Sequence, residues 1–127
     1  MIYGIGTDII DINRIRKTLE KYDKRFKNKC FHKNEIIRSD NIFNSCESYA
    51  KRYAAKEACA KALGTGLARG VYWKDIEVRN NKLGKPYIVL HNRAKSIIDK
   101  FTNKEAKIEL SLSDEKQYAL ATVIIFE

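Results

Sequence analysis

Cysteine, proline, methionine, histidine and tryptophan are all scarce in this chain of 127 residues: three Cys, one Pro, one Met, two His and one Trp. Cys30, Cys46 and Cys59 are odd in number, contain no Cys-x-x-Cys and have no nearby His at zinc-ligand spacing, so neither a disulfide framework nor a cysteine-based structural metal is indicated. Three reduced thiols are the expectation. No stretch approaches the ~20 apolar residues that span a bilayer, and the opening Met-Ile-Tyr-Gly lacks the basic flank of a secretory signal. A cytoplasmic protein with no membrane partner is expected. Acidic residues are outnumbered, 16 against 25 Lys plus Arg, and the net charge of +9 favours nucleic acid, phosphorylated ligands or acidic proteins as partners. The length and a hydrophobic content of 44% suit one domain over residues 1–127.

Ile2 to Ile10 reads as a short buried strand in which Gly4 and Gly6 permit close backbone approach. Asp11 is a natural N-cap for a helix from Ile12 to Lys21, whose Arg14, Lys17 and Lys21 form one basic stripe, with Arg16, Lys24 and Arg25 beside or beyond it. A helical turn or two is expected near Lys33 to Arg38, then a polar connection. Glu47 to Leu63 is the best helix, rich in Ala and stopped by Gly64. Its alanines imply tight packing. Val71 to Val78 alternates as a strand, Asn80 to Lys85 has hairpin-turn chemistry, and Tyr87 to Leu90 is its partner. A helix through Ala94, Ile97, Ile98 and Phe101 follows, and Lys107–Leu112 with Tyr118–Phe126 closes the chain as a hairpin. The sum is an α+β fold: a mainly antiparallel sheet packed on a long Ala-rich helix and shorter helices.

Asp8 stands at the mouth of the first strand, where Ile5, Ile9 and Ile10 should be buried, so its charge needs a partner. It could cap a turn, pair with a base or serve chemistry. On the long helix Glu57 and Lys61, four residues apart, share a face, with Arg52 and Lys56 along the neighbouring edge. A solvated face with an ordinary Glu57–Lys61 ion pair is the plain alternative. Gly64-Thr65-Gly66 could present backbone N–H groups to phosphate oxygens, or simply cap the helix. Together these parts describe one chemistry, because two carboxylates can hold Mg²⁺ on a diphosphate while lysine neutralises that diphosphate.

The stretches GIGTDIIDINRI, from Gly4 to Ile15, and RYAAKEACAKALGTG, from Arg52 to Gly66, resemble the two signature motifs of the holo-[acyl-carrier-protein] synthases, the small 4′-phosphopantetheinyl transferases. Phe31 to Glu35, WKDIEV from Trp73, Gly84-Lys85-Pro86 and Ser111 to Asp114 follow in the family's order. The resemblance implies transfer of phosphopantetheine from coenzyme A to a serine of apo-acyl carrier protein in fatty acid biosynthesis, with release of adenosine 3′,5′-bisphosphate. It implies a Mg²⁺ ion held by Asp8 and Glu57, and Lys61 on the phosphates and leaving oxygen. Either Glu57 or a metal-bound hydroxide would take the serine proton. It further implies coenzyme A contacts for Arg52, Tyr53, Gly64, Thr65, Lys85 and Pro86, each with a plain structural alternative. Arg14, assisted by Lys17, Lys21 and Arg25, would dock the acidic carrier protein. A homotrimer with its sites between protomers is also implied. Asp114 departs from the family, where His is common, and a carboxylate there cannot donate to a phosphate.

A basic nucleic-acid-binding module is the competing reading that +9 and seven tyrosines permit. Against it, the aromatics do not interleave with basic residues, no nucleic-acid motif is present, and Asp8 with Glu57 would repel phosphates without a metal.

Overall fold

The computed structural model describes residues 1–127. Strand β1 (Ile2–Asp11) leads into α1 (Ile12–Tyr22), α2 (Lys24–Cys30), α3 (Lys33–Asp40) and the long α4 (Ser45–Leu63). There follow β2 (Ile76–Asn80), β3 (Pro86–Leu90), α5 (Asn92–Ile98), β4 (Lys107–Glu115) and β5 (Tyr118–Phe126). β1, β5 and β4 form an antiparallel sheet in that order, and β2 pairs with β3 as a separate antiparallel hairpin. The α+β expectation holds. No helix is long and apolar enough to cross a membrane.

Alanine explains where α4 lies. Ala50, Ala54, Ala55, Ala58, Ala60 and Ala62 are all buried, so the helix can sit between the three-stranded sheet and the smaller elements without large side chains holding it away. β1 answers with glycine. A β-carbon on Gly4 would lie 2.1 Å from the Ala62 carbonyl oxygen, and one on Gly6 would lie 1.9 Å from that of Ala58. Only hydrogen fits at either position.

Several expectations need correction. Ile5 and Ile9 are not buried but 66% and 63% exposed, because α4 covers one face of β1 and alternate side chains point to the other. Ile10, on the covered face, is buried. The segment read as a strand from Val71 begins instead with a 3₁₀ turn at Trp73–Asp75, since the Asp75 carboxylate accepts from the Tyr72 N–H at 3.0 Å and closes the turn. α5 ends at Ile98, before Phe101. α2 had no clear apolar period and was not expected. The Asp11 cap is as expected: its Oδ1 accepts from the Asn13 N–H at 2.8 Å.

Candidate active site

Strand and helix run in opposite directions where they touch: Gly4 meets Ala62 and Gly6 meets Ala58. The next residue on that face, Asp8, therefore comes level with the helical turn that carries Glu57. Lys61 Nζ donates to Asp8 Oδ1 at 3.2 Å and to the Thr7 carbonyl oxygen at 3.0 Å. Its ion-pair partner is Asp8 and not Glu57, which replaces the plain helical pair considered from sequence.

Burial pushes the Glu57 carboxyl above its ordinary range and the Asp8 charge adds to the rise, while Lys61 and Arg14 oppose it. The pair is short of positive charge. An oxygen-only donor set with unbalanced negative charge suits a hard divalent cation, so Asp8 and Glu57 are the residues that could hold Mg²⁺.

A groove of about 430 Å³ opens beside this pair, walled by α1, α2 and α4 through Arg14, Arg25, Phe26 and Tyr53 and by Trp73 of the 3₁₀ turn. The Tyr53 ring is stacked on Trp73 at a centroid distance of 4.5 Å, and burial followed by the Glu57 charge raises its phenol. Tyr53 thus belongs to the groove wall. Arg14 and Arg25 stand on the same wall, whereas the exposed Lys17 and Lys21 do not line it.

Arg52 and Lys56 are not a solvated basic edge. Arg52 is 5% exposed and Lys56 fully buried, and both serve a polar cluster inside the fold. Lys56 Nζ donates to Glu35 Oε1 at 2.8 Å, to the Ile76 carbonyl at 2.5 Å and to the Trp73 carbonyl at 3.2 Å. Arg52 donates to the Val78 carbonyl and, at 2.7 Å, to Asn80 Oδ1, and it pairs with Glu35 at 3.8 Å. Glu35 Oε2 also accepts from the Val78 N–H at 3.2 Å. No buried side-chain polar atom in the chain lacks a partner. Sequence reading missed Glu35 as the hub, because its partners lie on α4 and β2, far along the chain.

The remaining residues separate. Lys85 and Pro86 close the β2–β3 hairpin, with Lys85 paired to Glu109 at 3.3 Å, and no hydrogen bond or ion pair joins them to Asp8, Glu57 or Lys61. Arg52 stands near them through Asn80, beside a depression of about 230 Å³ that Arg38 and Arg79 also line. The phosphate-cradle reading of Gly64-Thr65-Gly66 does not hold for its backbone. The Gly64 N–H donates to the Lys61 carbonyl, and the Thr65 and Gly66 N–H groups donate to that of Ala60, as a left-handed Gly64 cap requires. Asp114 pairs with Lys51 at 3.4 Å.

Residues 4–123 match the family model described as the 4′-phosphopantetheinyl transferase superfamily, and the chain belongs to that superfamily. Within it, the chain is similar to the holo-[acyl-carrier-protein] synthases. It is 48% identical to that of Agrobacterium fabrum, over 98% of this chain and 95% of the relative, and 49% identical to that of Sinorhizobium fredii, over 98% and 91%. Among solved structures, the holo-[acyl-carrier-protein] synthase of Neisseria meningitidis superposes with a TM-score of 0.86 at 35% identity, with all of both chains covered. That of Helicobacter pylori, solved in complex with coenzyme A, gives 0.83 at 30% identity over 96% of this chain and 99% of the other.

Proposed function

We propose that residues 1–127 act as a single transferase domain that moves the 4′-phosphopantetheine group of coenzyme A onto a serine hydroxyl of an apo-acyl carrier protein. The serine Oγ–P bond forms, the P–O bond to adenosine 3′,5′-bisphosphate breaks, and that nucleotide leaves. The observation that carries the reading is the convergence of Asp8, Glu57 and Lys61, built by glycine against alanine where β1 crosses α4. The residues of that crossing lie within the segment that the family model matches.

Asp8 and Glu57 would hold Mg²⁺, which would offset the charge of the coenzyme A diphosphate. Lys61 exchanges its bond to Asp8 for one to the phosphates and is placed to give a proton to the leaving oxygen. Glu57, its proton affinity raised by burial, is one acceptor for the serine proton. The groove beside it takes the pantetheine arm and the approaching carrier, with Arg14 and Arg25 set to meet acidic side chains and Lys17 and Lys21 steering from further out. Arg52, Lys85 and Pro86 on one side, and the Gly64-Thr65 turn on the other through atoms other than its capped N–H groups, contact coenzyme A from two protomers of a homotrimer. Two observations support that assembly: Ile5, Ile9 and Leu120 form an exposed apolar strip on the sheet face away from α4, and the proposed coenzyme A residues fall into two unlinked groups within one chain.

Incubation with coenzyme A, Mg²⁺ and an apo-acyl carrier protein should add the mass of phosphopantetheine to the carrier's serine, and chelator should stop it. An unmodified carrier in the Mg²⁺ arm, with protein folded by circular dichroism, refutes the assignment.

A further inference from the structure

One histidine of the chain bonds a buried carboxylate and the other lies close to both. Glu77 on β2 is 3% exposed at its side chain. Its Oε1 accepts from His91 Nε2, at the junction of β3 and α5, at 2.9 Å. His32, the N-cap of α3, lies with its ring centroid 5.2 Å from that of His91. One ligand atom from each of His32, Glu77 and His91 falls within 4.8 Å of the others. Three chain segments that are remote in sequence thus bring two imidazoles and a carboxylate to a single point.

We propose that His32, Glu77 and His91 form a binding site for a borderline divalent cation, with Zn²⁺ the best fit. Two nitrogens and one oxygen are the donors that zinc accepts and that Mg²⁺, an oxygen-seeking ion, does not prefer. With bonds of about 2.0–2.2 Å to each ligand, tetrahedral zinc needs its ligand atoms a little over 3 Å apart. The 2.9 Å between His91 and Glu77 already approaches that spacing. The ion would take the place of the proton that His91 now shares with Glu77. His32 would give up the hydrogen bond its Nε2 donates to the Lys74 carbonyl, at 2.5 Å, and turn by a small side-chain rotation toward the same point.

Arg79 does not close the site. It grips Glu77 through Nε to Oε2 at 2.9 Å and through its terminal nitrogen to Oε1 at 3.0 Å. An ionised carboxylate has about four acceptor positions, so this fork leaves one on each oxygen. Arg79 then orients the carboxylate from behind, as groups bonded to metal ligands commonly do. Three protein ligands leave a fourth position for water. The consequence is mechanical: the ion would tie the start of α3, β2 and the entry to α5 into one clamp.

The test uses the untagged full chain, stripped of metal and kept in excess Mg²⁺ so that the Asp8–Glu57 pair is occupied. Equilibrium dialysis with Zn²⁺ should retain one equivalent per chain, and a hundredfold excess over Kd should raise Tm by roughly 5–10 °C. With only two histidines, proton NMR of the unmodified protein reads the site directly: the ring resonances of both His32 and His91 should shift together with one equivalent. Combined His32→Gln and His91→Gln substitution should abolish retention, and Asp8→Asn should leave it intact. No retained zinc, a shift of one histidine only, or full retention in the double variant overturns the proposal.

Discussion

Gly6 on β1 lies so close to Ala58 on α4 that a β-carbon there would come within 1.9 Å of the Ala58 carbonyl oxygen. The contact sets the spacing of strand and helix, and through it the spacing of Asp8 from Glu57 and Lys61. A Gly6→Ala chain must move one element away from the other. We expect a loss of about 2–3 kcal/mol or more in urea denaturation, and a loss of transfer activity in whatever folded protein remains. Wild-type stability in this variant would show that the strand can yield.

Glu57→Gln keeps the shape of the side chain and removes its charge. The fold should persist by circular dichroism, while transfer to the carrier falls at least about a hundredfold. Undiminished activity would take Glu57 out of the mechanism.

Lys56→Met removes an ammonium that donates to Glu35 and to two backbone carbonyls. It leaves a buried carboxylate with Arg52 alone as a charged partner, at 3.8 Å. About 3 kcal/mol of stability should be lost, and adding Glu35→Gln should recover part of it, because the stranded charge is then gone. If the double variant is no more stable than the single one, the charge balance is not what Lys56 supplies.

Arg14→Glu reverses one charge on the groove wall, where Arg14 acts on Glu57 through its field and forms no ion pair with it. The KM for the acidic carrier should rise about tenfold and that for coenzyme A stay unchanged, with the difference shrinking as salt is added. A parallel rise in both constants contradicts docking.

Asp40 accepts from the Tyr49 hydroxyl at 2.6 Å and pairs with Lys27 at 3.1 Å. Burial raises this carboxyl, but the two partners outweigh it and hold it below the usual aspartate value. Its contribution is therefore complete above the ordinary carboxylate range and is lost as pH falls through the lowered folded value. Asp40→Asn should cost stability at pH 7 and less as pH drops below about 4, read by urea denaturation across that range. An equal penalty at pH 7 and pH 3 would trace the effect to something other than the charge.

The sequence by itself determined the long helix, its Gly64 stop, the Asp11 cap and the terminal hairpin, because each depends on residues a few positions apart. It also singled out Asp8, Glu57 and Lys61 as candidates, through the resemblance of the two motifs that carry them to a known family. Tertiary structure alone decided that Ile5 and Ile9 face outward, that Arg52 and Lys56 turn inward onto Glu35, and that His91 bonds Glu77 with His32 close by. Helical spacing places a side chain on a face. Which face meets the core, and which charge waits there, depends on segments tens of residues away and is settled only when they pack.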